Sequence, residues 1–172
     1  MKKGIVIAGF AGIGKSMLAS KYKNVVDLEI MEFKWDYKEK IADIEKKKGN
    51  SNKTRKEEWP ENYIDAIQNA TTNYDITLIS TDDEILNELE KKEIEYILCY
   101  PTLECKNEYL DRYRKRGNTE AFIQRVAETF EDLIKGLQKY KAKKIVLKNN
   151  ETLESKLNQA TKVKEDDTLE ER

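Results

Sequence analysis

Histidine is absent from this chain of 172 residues. A Ser-His or Cys-His triad therefore has no general base here, and any proton transfer falls to a carboxylate, a lysine, a tyrosine or water. Cysteine is scarce: Cys99 and Cys105 are the only two, and neither stands in a metal-spacing cluster. That excludes a zinc site. Cys99 lies in an apolar run, where a small buried hydrophobe is the default role. A surplus of one charge is missing too. Lys and Arg total 32 against 33 for Asp and Glu, a net charge of −1, which gives no electrostatic case for nucleic acid or an anionic membrane as partner. No apolar run approaches the ~20 residues of a membrane span. Met1-Lys2-Lys3-Gly4 leads straight into an apolar strand with no cleavable signal pattern, and no internal repeat is evident. The expectation is a cytoplasmic, single-domain protein, its size sufficient to bury a core.

What is present is concentrated in Gly9-Phe10-Ala11-Gly12-Ile13-Gly14-Lys15-Ser16, a full match to G-x-x-x-x-G-K-[ST]. The apolar run Ile5-Val6-Ile7-Ala8 precedes it, and the helix-competent Lys15–Tyr22 follows. Strand, loop and helix in that order are the context the motif needs. In such a loop glycines let backbone N–H groups turn toward phosphate oxygens, and the helix start adds its positive dipole end. Lys15 would reach the β- and γ-phosphates, and the Ser16 hydroxyl would ligate Mg²⁺. Gly9, Ala11, Gly12, Ile13, Gly14, Lys15, Ser16 and Met17 are thus the candidate nucleotide-binding residues.

Strand and helix patterns alternate along the rest of the chain, which predicts a parallel α/β sheet. Five strands are expected, at Gly4–Ala8, Val25–Leu28, Ile76–Ile79, Tyr96–Tyr100 and Ile145–Leu147. A helix is predicted from about Pro60 to Ala70, with Pro60 in its first turn. Thr81-Asp82-Asp83-Glu84 has capping-box spacing and opens the next helix, with Thr81 expected as the cap. A helix carrying Tyr109, Leu110 and Tyr113 should end near Gly117, a suitable C-cap. Phe122, Ile123, Val126, Phe130, Leu133, Ile134 and Leu137 recur at helical spacing and read as core packing. A short helix is expected around Leu153 and Leu157. Asn50-Ser51-Asn52 reads as a loop, Glu45-Lys46-Lys47-Lys48 as a solvated face, and the charged tail 161–172 as disordered.

A guanine-specifying Asn-Lys-x-Asp motif is absent; motor ATPases and helicases need additional domains, whereas a one-domain phosphate-loop protein of this length is expected to transfer the γ-phosphoryl group to a small acceptor. The layout resembles the nucleoside and nucleotide monophosphate kinases, with the shikimate-kinase-like enzymes, and more closely the small adenylate-kinase-like or nucleoside-kinase-like proteins of phages and Gram-positive bacteria. Beyond the phosphate loop, the resemblance is carried by Val26-Asp27-Leu28-Glu29, Phe33-Lys34-Trp35, Trp59-Pro60-Glu61-Asn62-Tyr63-Ile64, Tyr100-Pro101 and Glu108–Asn118, and covers residues 4–150. It implies a three-layer α/β/α P-loop NTPase fold with a five-stranded parallel sheet, a helical lid at 112–119 and an acceptor-binding insertion at 34–62 within a domain spanning 1–160.

The same resemblance implies an ATP- and Mg²⁺-dependent phosphotransferase. Its acceptor would be a nucleoside or nucleoside monophosphate; the alternatives are a non-nucleotide metabolite hydroxyl or a non-catalytic nucleotide-binding module. Asp27 would hold Mg²⁺-bound water, and Glu29 would bond an acceptor hydroxyl or serve as its base. Arg112 and Arg116, on one helix face at i, i+4, would close over the transferring phosphoryl group; Arg114 and Lys115 are weaker candidates. Lys53, Arg55 and Lys56 are candidates for an acceptor phosphate, and Trp59 or Trp35 for stacking on a base, with Trp59 equally readable as a packing anchor. Ser80, Thr81 and Asp82 stand where the family places a second Mg²⁺-linked group, but the arginine usual shortly afterwards is absent. Lys148-Asn149-Asn150 falls where these kinases hold adenine. A small-molecule acceptor is the expected partner, with no nucleic acid and no membrane, in a monomer or homodimer.

Overall fold

The computed structural model describes residues 3–37 and 52–160, the side chains of 158–160 excepted. The tail 161–172, the 45–48 run, Asn50-Ser51 of the expected loop and residues 38–51 of the 34–62 insertion lie outside the described residues. The main sheet has five parallel strands: β1 (Ile5–Gly9), β2 (Val25–Asp27), β5 (Ile76–Ser80), β6 (Ile97–Pro101) and β7 (Lys143–Leu147). Their order is β2-β5-β1-β6-β7, with β1 at the centre. A second, antiparallel ribbon joins β3 (Trp35–Tyr37) to β4 (Lys53–Arg55). Seven α-helices are present among the described residues: α1 (Lys15–Lys21), α2 (Met31–Lys34), α3 (Glu61–Asn73), α4 (Asp83–Lys91), α5 (Lys106–Lys115), α6 (Glu120–Leu137) and α7 (Leu153–Ala160). The arrangement is compatible with three α/β/α layers. None of these helices is long and apolar enough to cross a membrane.

All five predicted sheet strands are present and parallel, with ends differing by one or two residues. The central strands are apolar on both faces because helices cover both: Ile7, Ala8, Leu78, Ile79 and Leu98 are fully buried. Burying each of these leucine and isoleucine side chains contributes about 1.5–3 kcal/mol. Pro101 lies within β6 as its last residue instead of stopping it earlier. The α6 stripe packs as its spacing predicts, except that Leu133 is exposed. Helix α5 ends as expected, with Gly117 in the left-handed region at φ +86°, where a Cβ would be strained.

One cap differs from expectation. Asp82, not Thr81, caps α4: its carboxylate accepts from the amides of Glu84 and Ile85. A carboxylate at this position answers two orphan amides and the positive helix end at once, which a threonine hydroxyl cannot match.

The β3–β4 ribbon and α2 have no counterpart in the predicted elements. Three-residue strands are too short for alternation to register, and their pairing spans a long sequence separation. Trp35-Asp36-Tyr37, aromatic-polar-aromatic, is the one local trace of the ribbon.

Candidate functional site

Because the main-sheet strands are parallel, their carboxyl ends share one edge, the edge where open α/β sheets bind ligands. It gathers the 9–16 loop from the end of β1, Asp27 at the end of β2 with Glu29 beyond it, Ser80 at the end of β5 with Asp82 beyond it, and the 148–152 segment after β7. Gly9 pairs in register with Ser80 on one side and Cys99 on the other, so the loop leaves from the middle of the edge.

The loop's shape comes from what grips its carbonyls. Tyr113 Oη donates to the Ala11 carbonyl at 2.7 Å, Arg112 Nη1 to that of Gly12 at 2.7 Å, and the Leu153 amide to that of Ile13 at 3.0 Å. In a trans peptide the C=O and N–H point in opposite directions. The amides of Gly12 and Gly14 therefore point away from these anchors. Gly12 and Gly14 sit at φ +95° and +100°, a backbone glycine adopts without strain. A Cβ on Gly12 would stand 3.0 Å from Tyr113 Cε1 and 3.1 Å from Tyr109 Cδ2, so the loop lies directly on an aromatic bed. Phe10, Tyr109, Tyr113, Phe122 and Phe130 interlock in that bed through tilted and edge-on ring contacts. Lys15 Nζ donates to the Gly9 carbonyl at 2.6 Å, while Ser16 and Met17 are exposed.

Arg112 lies beneath this loop, not over it. Besides Gly12, its guanidinium meets Glu108 at 2.6 Å and the Glu151 carbonyl at 3.1 Å, and it lies 4.4 Å from the Tyr109 ring centre. Glu108 also accepts from the Asn150 amide at 2.8 Å. Arg112 and Glu108 thus brace the glycine-rich loop against 148–152. Arg116 stacks on Tyr113 at 4.9 Å and bonds Asn118. Arg114 pairs with Asp111 in solvent.

On the β2 side, Asp27 and Glu29 are half-buried. Tyr63 Oη donates to the Leu28 carbonyl between them at 2.6 Å. Burial pushes the Tyr63 phenol well above its usual range; a backbone hydrogen bond at Ser80 opposes this, and the negative charges of Asp27, Glu29 and Asp82 add to it. Those three carboxylates therefore share one neighbourhood. Lys34 Nζ answers Asp82 at 2.6 Å and lies within 5.3 Å of the Trp35 and Trp59 ring centres. The Trp59 indole is buried against Tyr63, ring centres 5.7 Å apart, which is the packing-anchor placement. Arg55 pairs with Glu84 at 2.5 Å, and Lys56 approaches Asp36 at 4.0 Å.

Lys53 Nζ lies 4.4 Å over Trp35. Its ammonium is held below the usual lysine range by burial first, then by Arg125 and Lys34. Arg125 carries no motif in the sequence: it lies on α6 three residues after Phe122, 5.6 Å over its ring centre, and only the tertiary fold brings its charge within reach of Lys53. Among the described residues no group of three or more Cys, Asp or Glu side chains is arranged to hold a metal. No family model matches this chain, and no curated protein matches it.

Proposed function

We propose that this chain is an ATP- and Mg²⁺-dependent phosphotransferase with a P-loop NTPase fold, moving the γ-phosphoryl group to a nucleoside or nucleoside monophosphate. The observation that carries the reading is the 9–16 loop: a full phosphate-loop sequence at the carboxyl end of the central strand, its carbonyls drawn back so that amides face away from their anchors. Gly12, Gly14, Lys15 and Ser16 would hold the β- and γ-phosphates, with Gly9, Ala11, Ile13 and Met17 shaping the loop. Mg²⁺ keeps most of its water and takes one or two protein oxygens plus phosphates. Ser16 and Asp27 fit that demand as hard oxygen donors. When bound, the ion neutralises phosphate charge.

Lys15 would add a fixed positive charge at the transferring group. Glu29 would accept the proton of an acceptor hydroxyl or orient the acceptor, since it follows the strand end beside Asp27. Arg55 would belong to the acceptor side, with the buried Trp59 as its packing anchor and not a stacking surface, and Lys53, near Arg125 and Lys34, would add positive potential there for an acceptor phosphate. Arg116 remains the candidate for closing over the phosphoryl group. Arg112 contributes through the Gly12 carbonyl.

Purified protein with MgATP and a panel of nucleosides, monophosphates and small polyols tests this through coupled ADP release. Acceptor-dependent turnover with one class is expected. Lys15→Ala should lower it by orders of magnitude with the fold intact. Tight ATP binding with no stimulation by any acceptor would instead favour a nucleotide-binding module, and wild-type turnover in Lys15→Ala would refute the placement of the site.

A further inference from the structure

We propose that the hydroxyls of two buried tyrosines, Tyr63 and Tyr113, are separate positioning devices, the first for the Asp27–Glu29 segment and the second for the 9–16 loop. The kinetic consequences rest on the phosphotransferase reading; the positioning itself rests on geometry.

Strand β2 ends at Asp27. One further bond to the sheet follows, from the Leu28 amide to the Leu78 carbonyl at 2.9 Å. Beyond that amide the ladder no longer sets the backbone, yet Glu29 is the next residue. The Leu28 carbonyl belongs to the peptide that leads into Glu29, and Tyr63 Oη holds it at 2.6 Å. Tyr63 thereby extends the register of the sheet to the second carboxylate. Its ring has no freedom to drift: it is fully buried, with Phe33 and Trp59 ring centres 5.1 and 5.7 Å away.

The loop after β1 repeats the device. Strand β1 ends at Gly9, and the Phe10 amide makes a last bond to the Cys99 carbonyl at 2.9 Å. The Phe10 carbonyl that follows accepts from the Ile13 amide at 3.3 Å, and the carbonyl after it, that of Ala11, is held by Tyr113 Oη at 2.7 Å. Tyr113 is fully buried between Tyr109 and Phe122, and its ring forms part of the floor under Gly12. Both phenols are pushed up by burial, so each stays a neutral donor throughout the working pH range. Tyr63 comes from α3 and Tyr113 from α5, so the two devices are mechanically independent.

Tyr63→Phe and Tyr113→Phe remove one hydroxyl each and keep the ring packing. Amide hydrogen exchange read by mass spectrometry tests the positioning without reference to catalysis. Faster exchange confined to 27–30 in Tyr63→Phe, and to 10–14 in Tyr113→Phe, is the expected pattern. In kinetics, Tyr63→Phe should lower acceptor kcat/KM roughly fivefold with MgATP affinity unchanged, and Tyr113→Phe should weaken MgATP roughly fivefold with acceptor KM unchanged, the loss expected for one hydrogen bond. Exchange that rises in both segments together, or in neither, overturns the proposal. A wild-type protein with no acceptor-dependent turnover brings down the phosphotransferase reading alone, since the exchange pattern still decides the positioning.

Discussion

Replacing Gly12 with alanine should destabilise this protein more than the same change at Gly117, and the structure says by how much. Both residues hold positive φ, +95° and +86°. A Cβ in that region costs about 1–2 kcal/mol at either site. Around Gly117 nothing lies within 4 Å of the new methyl, so the strain is the whole cost. At Gly12 the methyl meets Tyr113 and Tyr109 carbons at 3.0 and 3.1 Å. Those rings cannot retreat, since Phe10, Phe122 and Phe130 pack around them. Forcing a methyl into a filled core adds about 1–3 kcal/mol. The totals are about 2–5 kcal/mol for Gly12→Ala against about 1–2 for Gly117→Ala. In a chain of this size each kcal/mol moves the melting temperature by about 2–4 °C. Thermal unfolding followed by circular dichroism should show Gly12→Ala about 10 °C below wild type and Gly117→Ala about 4 °C below. Equal losses in the two variants would show that the loop does not rest on the aromatic bed as described.

Asp82→Ala should cost about 1–2 kcal/mol in urea unfolding, because it removes the α4 cap and the partner of Lys34; Thr81→Ala should cost far less, and the reverse ranking would restore Thr81 as the cap. Stability should fall above pH 9. Burial pushes the Cys99 thiol from 9.0 to about 12, against a smaller opposing pull from Lys15, so the unfolded chain releases that proton first and the native state binds more protons. The loss is up to about 1.4 kcal/mol per pH unit in that window, and Cys99→Ala should show a shallower slope between pH 9 and 11; parallel slopes would sink the assignment. Glu29→Gln should slow transfer to a hydroxyl acceptor while leaving ATP binding unchanged, and an unaltered rate would remove the proposed base.

Five parallel strands, the α5 C-cap at Gly117 and the amphipathic stripe of α6 were legible in the chain because each is a local pattern: apolar runs, a glycine and a helical period. The 9–16 loop was legible for the same reason, since eight consecutive residues carry its whole signal. Arg112 was not. Its spacing to Arg116 suggested two arginines doing one job, but the fold turns Arg112 toward the Gly12 carbonyl and Glu108 while Arg116 stacks on Tyr113. Helical spacing says which side chains share a face; it does not say what that face meets.

By itself the sequence determined the α/β alternation, the position of the glycine-rich loop after the first strand and the exclusion of histidine chemistry. Each of these depends on neighbours within a few residues, or on composition alone. The tertiary structure alone decided that β1 is central, that Asp27, Glu29 and Asp82 share one neighbourhood, that Arg125 comes near Lys53, and that Tyr63 and Tyr113 spend their hydroxyls on two separate loops. Those outcomes join residues dozens of positions apart. They are set by strand order and helix packing, which local periodicity does not encode.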